Sequence, residues 1–114
     1  MIRLYHNARC SKSRAALALL ESRQENFEIV PYLEASLNEG ELRELLRMLG
    51  LEPRDVMRKG EALYKELGLQ DPTVGDDALI AALAAHPILL ERPIVVNGEK
   101  AVVGRPTETI LDIL

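Results

Sequence analysis

The sequence predicts an α/β fold: a single domain in the order β-α-β, helical insert, β-β-α, around a mixed sheet. Three observations carry that prediction. A strand–helix–strand pattern opens the chain, an all-helical stretch of approximately residues 38–86 fills its middle, and a hairpin with a proline-started helix closes it.

Each element has a local cause. Ile2 to Tyr5 is a short apolar run of strand type. From Ser11 to about Ser22 the spacing turns helical, with Ala16, Leu17 and Leu20 on one side. Phe27, Ile29 and Val30 form a second strand, stopped by Pro31. Asn38 followed by Glu41 is a capping signature, and Leu42, Leu45, Leu46 and Leu49 repeat with helical period before Gly50 ends the run. Pro53 opens a short turn through Val56 and Met57, and Glu61 to Leu67 is a short helix closed by Gly68. Asp76 and Asp77 suit the positive start of a helix reaching about Ala85, where Pro87 stops it. Ile94-Val95-Val96 and Ala101-Val102-Val103 flank Asn97-Gly98, a hairpin signal. Pro106 suits the first position of a closing helix with Ile110, Leu111 and Leu114 on its apolar side. This order is the thioredoxin topology with an insert.

Composition narrows the function. At 114 residues the chain is expected to form one domain with one core. Its 14 basic and 18 acidic residues are well mixed, so no global basic field points to nucleic acid and no acidic tail suggests disorder. The single cysteine forbids an internal disulfide and fits a reducing, cytoplasmic setting. The apolar stretch from Ala15 to Leu20 is too short for a signal peptide, and nothing approaches a membrane span. One cysteine and two distant histidines offer no metal site, and no phosphate-binding glycine fingerprint is present.

The chemistry is expected at Cys10, where the first strand turns into the first helix. A lone cysteine is commonly a small buried hydrophobe. Here, however, His6-Asn7-Ala8-Arg9 precedes it and Ser11-Lys12-Ser13-Arg14 follows, and an inert core thiol has no use for such neighbours. Helix-start amides and nearby cations both favour thiolate over thiol. Arg9, Lys12 and Arg14 form either an electrostatic funnel for an anion or a solvated helix face. Amides at the Ser11 helix start complete an anion site. Asn7 and Ser13 are placed to hydrogen-bond the loop or the sulfur, and Ser13 is equally suited to satisfying the first helical turn. His6 either braces the end of the first strand or helps to hold the thiolate.

Three further arginines stand at breaks in the pattern: Arg58 before Lys59-Gly60, Arg92 before Pro93, and Arg105 between Gly104 and Pro106. Surface arginines are usually just solvated. The Arg92-Pro93 junction, though, lies beside the reactive helix start in this topology, and guanidinium forks suit tetrahedral oxyanions. His86 is expected to end the helix before Pro87. Tyr5, Phe27 and Tyr32 are expected in the core.

The string Tyr5-His6-Asn7-x-x-Cys10-x-x-Ser13-Arg14 resembles the glutaredoxin-coupled arsenate reductases, the ArsC family. So do Tyr32-Leu33-Glu34, Met57-Arg58-Lys59, His86-Pro87-Ile88-Leu89, Arg92-Pro93-Ile94-Val95-Val96, Gly104-Arg105-Pro106 and Leu111-Asp112-Ile113-Leu114. The likeness spans the whole chain in one order and is greatest to the shorter members. It implies that the cysteine matching Cys10 attacks arsenate or a similar oxyanion. It further implies that the arginines matching Arg58, Arg92 and Arg105 hold the anion and its intermediates, and that the histidine matching His6 favours the thiolate. Asn7, Arg9, Ser11, Lys12 and Ser13 then line the substrate. No bound cofactor is implied. Glutathione is the co-substrate that displaces a ligand on arsenic, and glutaredoxin clears the mixed disulfide as arsenite leaves. The bond before Pro93 is implied to be cis. Ala8 departs from the family, which commonly has proline there.

Two rival identities share parts of this pattern. An Spx-type regulator that binds RNA polymerase has the fold and the His86-Pro87 region. Its usual C-x-x-C switch, however, is here Cys10-x-x-Ser13, which cannot form a disulfide. A monothiol glutaredoxin-like oxidoreductase suits Cys10-Ser11-Lys12-Ser13, but the acidic, double-glycine glutathione site of that family is missing after Pro93.

Overall fold

Four short strands pair in the order β2-β1-β3-β4, in a computed structural model that describes residues 2–34 and 37–114. The strands are β1 (Ile2–Tyr5), β2 (Phe27–Val30), β3 (Ile94–Asn97) and β4 (Lys100–Val103). β1 runs parallel to β2 and antiparallel to β3, and β3 runs antiparallel to β4, so the sheet is mixed as expected. The chain divides into two compact units, Met1–Ala35 with Arg92–Leu114, and Ser36–Glu91. The sheet belongs wholly to the first.

In that unit, α1 (Ser11–Ser22) connects the two parallel strands. Side chains alternate faces along a strand, so Ile2 and Leu4 share a face with Val95. That face packs with Ala16 and Leu20 of α1 and with Ile110 and Ile113 of the closing segment. Phe27, Leu17, Val102 and Leu114 flank this core. Each fully buried leucine or isoleucine contributes about 1.5–3 kcal/mol by leaving water. Tyr5 and Tyr32 are buried, as their apolar rings demand.

Two local details differ from expectation. Asn97 pairs with Lys100, so the two-residue turn is Gly98-Glu99 rather than Asn97-Gly98. Gly98 has φ +64°, and a glycine accepts that positive angle at the first turn position without a Cβ clash. The closing segment, Thr107–Ile113, is a 3₁₀ helix capped by Pro106.

Gly104 matters for a different reason. Its N–H donates to the Pro93 carbonyl at 2.8 Å. A Cβ at this position would sit 3.0 Å from Pro93 Cγ and 3.1 Å from Ile110 Cδ1. Gly104→Ala is therefore expected to lower stability by about 1–3 kcal/mol through overpacking. Urea unfolding measures this, and an unchanged midpoint would contradict it.

The second unit holds the helices α2 (Glu39–Leu49), α3 (Ala62–Glu66) and α4 (Asp76–Ala85), with 3₁₀ turns at Pro53–Val56 and Pro87–Leu89. The expected α2 cap is present: Glu41 N–H donates to Asn38 Oδ1 at 2.7 Å, and Asn38 N–H to Glu41 Oε1 at 3.0 Å. Gly50 ends α2 in the left-handed region. Leu42, Leu45 and Leu46 of α2 and Leu79, Ile80 and Leu83 of α4 are buried, and α4 packs on α2 and on both 3₁₀ turns. His86 follows α4, its N–H bonded to the Ala82 carbonyl. Arg54 donates to the Tyr64 hydroxyl and to the carbonyls of Leu69, Asp71 and Val74, which ties down the loop after α3. Among the described residues no helix is long and apolar enough to cross a membrane.

Candidate active site

Cys10 is the N-cap residue of α1, in extended conformation, and its side chain makes no capping bond. The loop before it is held by its own hydrogen bonds. Cys10 N–H donates to the Asn7 carbonyl at 3.0 Å, and Arg9 N–H to Asn7 Oδ1 at 3.0 Å. Asn7 N–H reaches Ser13 Oγ at 3.4 Å, and Arg14 Nη1 donates to the Ala8 carbonyl at 2.9 Å. This network orders the loop with alanine at position 8 in place of the proline common in the resembled family.

The thiol is 7% exposed, yet it is not surrounded by apolar groups alone. Arg105 Nη2 lies 3.9 Å from Cys10 Sγ, while Arg105 Nε donates to the Arg92 carbonyl at 2.7 Å. Burial pushes the thiol pKa up. Hydrogen bonds from the backbone N–H groups of Ser13 and Lys12, then the charge and a hydrogen bond of Arg92, push it down. The result lies below the ordinary thiol value. Helix-start amides and two guanidinium groups therefore converge on one sulfur, the microenvironment of a reactive cysteine. Both arginines precede cis prolines, Pro93 as implied and also Pro106.

His6 plays a different part from a cationic helper. Burial first, and the Arg14 charge second, pull its pKa below 6.5. Near neutral pH it is thus an uncharged imidazole and brings no positive charge to the sulfur. Its backbone N–H donates to the Val30 carbonyl, fixing the end of β1 beside β2, and its side-chain Nδ1 is buried without a hydrogen-bond partner. A group with a depressed native pKa favours the fold above its unfolded value and loses that contribution as the pH falls. Stability should therefore fall as the pH drops below about 6.5 and on through the lower native value. His6→Gln should flatten that limb of a urea-unfolding profile, and an unaltered profile would contradict this origin.

The remaining expected residues divide. Arg9, Ser11 and Lys12 are exposed around the loop, and Arg14, though exposed, braces it. Ser13 is fully buried, so its hydroxyl serves the loop while its N–H serves the sulfur. Arg58 belongs to the second unit, where its guanidinium pairs with Glu61 and its N–H bonds the Leu89 carbonyl. That pairing spans three residues and was legible only as a charge spacing. Sequence reasoning also missed a cavity of about 360 Å³ beside the loop, lined by Asn7, Ala8, Arg9, Pro31, Leu33 and Glu34. Its signal was the closeness of the C-terminal ends of two parallel strands, where α/β ligands gather. Among the described residues no three histidine, cysteine or acidic side chains gather in a way that could hold a metal ion.

Strand order and a cation-flanked thiol at the first helix start define a thioredoxin-like protein of the thiol-reactive class. The family model described as "ArsC family" matches residues 5–113. An arsenate reductase from Neisseria meningitidis serogroup A is 52% identical, covering 99% of this chain and 97% of that protein. A solved arsenate reductase structure from Vibrio cholerae superposes with a TM-score of 0.97 at 52% identity, covering 99% of this chain and 97% of its own. An arsenate reductase from Yersinia enterocolitica is 38% identical over 99% of this chain and 80% of its own length. The chain belongs to the ArsC family.

Proposed function

We propose that the protein is an arsenate reductase that turns arsenate(V) into arsenite(III), with glutathione and glutaredoxin supplying thiols from outside. The observation that carries this reading is the Arg105 guanidinium 3.9 Å from Cys10 Sγ at the start of α1. An anion held there by guanidinium and backbone donors meets a sulfur that is biased toward thiolate. The arsenate reductase relatives, matched nearly end to end, support the choice of anion.

Electron counting supports the external thiols. Reducing arsenic(V) to arsenic(III) takes two electrons, which two thiols supply when they join as a disulfide. This chain has one cysteine. In the first step the Cys10 thiolate forms a sulfur–arsenic bond while an arsenic–oxygen bond breaks, and the departing hydroxyl takes a proton from solvent and leaves as water. Glutathione sulfur displaces a second oxygen in the same way. The two sulfurs then join as both sulfur–arsenic bonds break, the electron pair stays on arsenic, and arsenite departs. Glutaredoxin takes the glutathionyl group from Cys10 and restores the thiolate. Arg92 and Arg105 stabilise the negative oxygens throughout. Purified protein with arsenate, glutathione and glutaredoxin should form arsenite, and omitting either thiol donor should stop turnover. Sustained turnover without added thiols would contradict the scheme.

A further inference from the structure

The cavity beside the Cys10 loop has a charge pattern that an arsenate site does not need. Arg9 and Glu34 both line it, together with the apolar Ala8, Pro31 and Leu33. Neither Arg9 nor Glu34 has an ion pair among the described residues. A carboxylate in the wall repels a lone oxyanion. Opposite charges within one partly apolar lining suit instead a small zwitterionic peptide carrying both an ammonium and a carboxylate.

The position is equally specific. Asn7 to Arg9 lead directly into Cys10 through the turn closed by the Cys10 N–H on the Asn7 carbonyl at 3.0 Å. Pro31 to Glu34 follow β2, the parallel neighbour of β1. A peptide seated here shares its loop with the sulfur that carries the arsenic. At about 360 Å³ the cavity is within the range of small-molecule sites. Leu33 is 41% exposed, an apolar surface for the methylenes of such a ligand.

We propose that this cavity is the glutathione subsite, with Glu34 receiving the α-ammonium of the γ-glutamyl end and Arg9 a carboxylate. This rests on the reductase reading above and names where its co-substrate docks. The subsite seats the tripeptide so that its thiol can reach the arsenic on Cys10, and Glu34 and Arg9 act as binding residues.

The test uses S-methylglutathione, whose blocked thiol makes binding independent of any redox step. In ¹⁵N-labelled protein its addition should shift the amide resonances of Ala8, Arg9, Leu33 and Glu34 in a saturable way. Glu34→Gln should weaken that binding about fivefold, the scale of one exposed ion pair. It should leave unchanged the already weaker binding of an N-acetylated probe that lacks the ammonium. No saturable shift at these residues, or equal affinity for S-methylglutathione in Glu34→Gln, would overturn the proposal. Saturable binding without arsenate turnover would uphold the subsite and overturn the reaction assigned above. Turnover with no shift at the cavity would overturn the subsite alone.

Discussion

Cys10→Ser is expected to cut arsenite production to the level of a protein-free control, a loss of at least ~1000-fold or about 4 kcal/mol of transition-state stabilisation. The magnitude follows from having one sulfur. No other cysteine exists in the chain to replace it, and a serine hydroxyl stays protonated where the Cys10 thiol is biased toward its anion. Serine also cannot take up and release the glutathionyl group that closes the cycle. The substitution should leave the fold intact, because the Cys10 side chain makes no capping bond and the loop is held through backbone groups, Asn7 and Arg14. Arsenite formation and a chemical-shift map of the variant separate the two effects. Turnover near that of the parent protein would end the assignment of Cys10 as nucleophile.

Arg92→Ala should lower kcat/KM on the order of 100-fold, about 3 kcal/mol, the scale of one lost oxyanion donor. Two consequences combine. The guanidinium favours the Cys10 thiolate by charge and by hydrogen bond, so its removal raises the thiol pKa. It also removes a donor for the negative oxygens that develop on arsenic. Arg92→Lys keeps a charge and loses the planar fork, so it should fall between the two. Arg105→Ala removes the 3.9 Å contact to Sγ together with the Nε bond to the Arg92 carbonyl, and it should damage the same step. Parent-like turnover in Arg92→Ala would show that the anion is held elsewhere.

Much of this molecule is legible in its sequence wherever local chemistry decides the outcome. β1 and β2 begin and end at the expected residues because Pro31 and the polar loop from His6 bound them. α2 starts at its Asn38–Glu41 cap and stops at Gly50 because both signals are backbone requirements rather than tertiary accidents. The helix start under the thiol was legible for the same reason, whereas the cations that reach the sulfur, Arg92 and Arg105, come from the far end of the chain.

What was not legible depends on partners distant in sequence or on a one-residue register. The turn at Gly98-Glu99 is set by pairing across β3 and β4, which an Asn-Gly dipeptide cannot specify alone. Arg54 resembled any surface arginine, and only the folded loop after α3 brings three carbonyls to it. The neutral state of His6 depends on burial and on Arg14 eight residues later, neither of which a strand-end histidine reveals. The cavity beside Cys10 needs β1 and β2 to be paired before Arg9 and Glu34 can line one space.

The central claim is a sulfur biased toward its anion by helix-start amides and two guanidinium groups. Its most direct test is the rate of Cys10 alkylation by iodoacetamide as a function of pH. The structure predicts a midpoint clearly below the free-thiol value of about 8.5, shifted upward in Arg92→Ala. A midpoint at or above about 8.5 in the parent protein would contradict it.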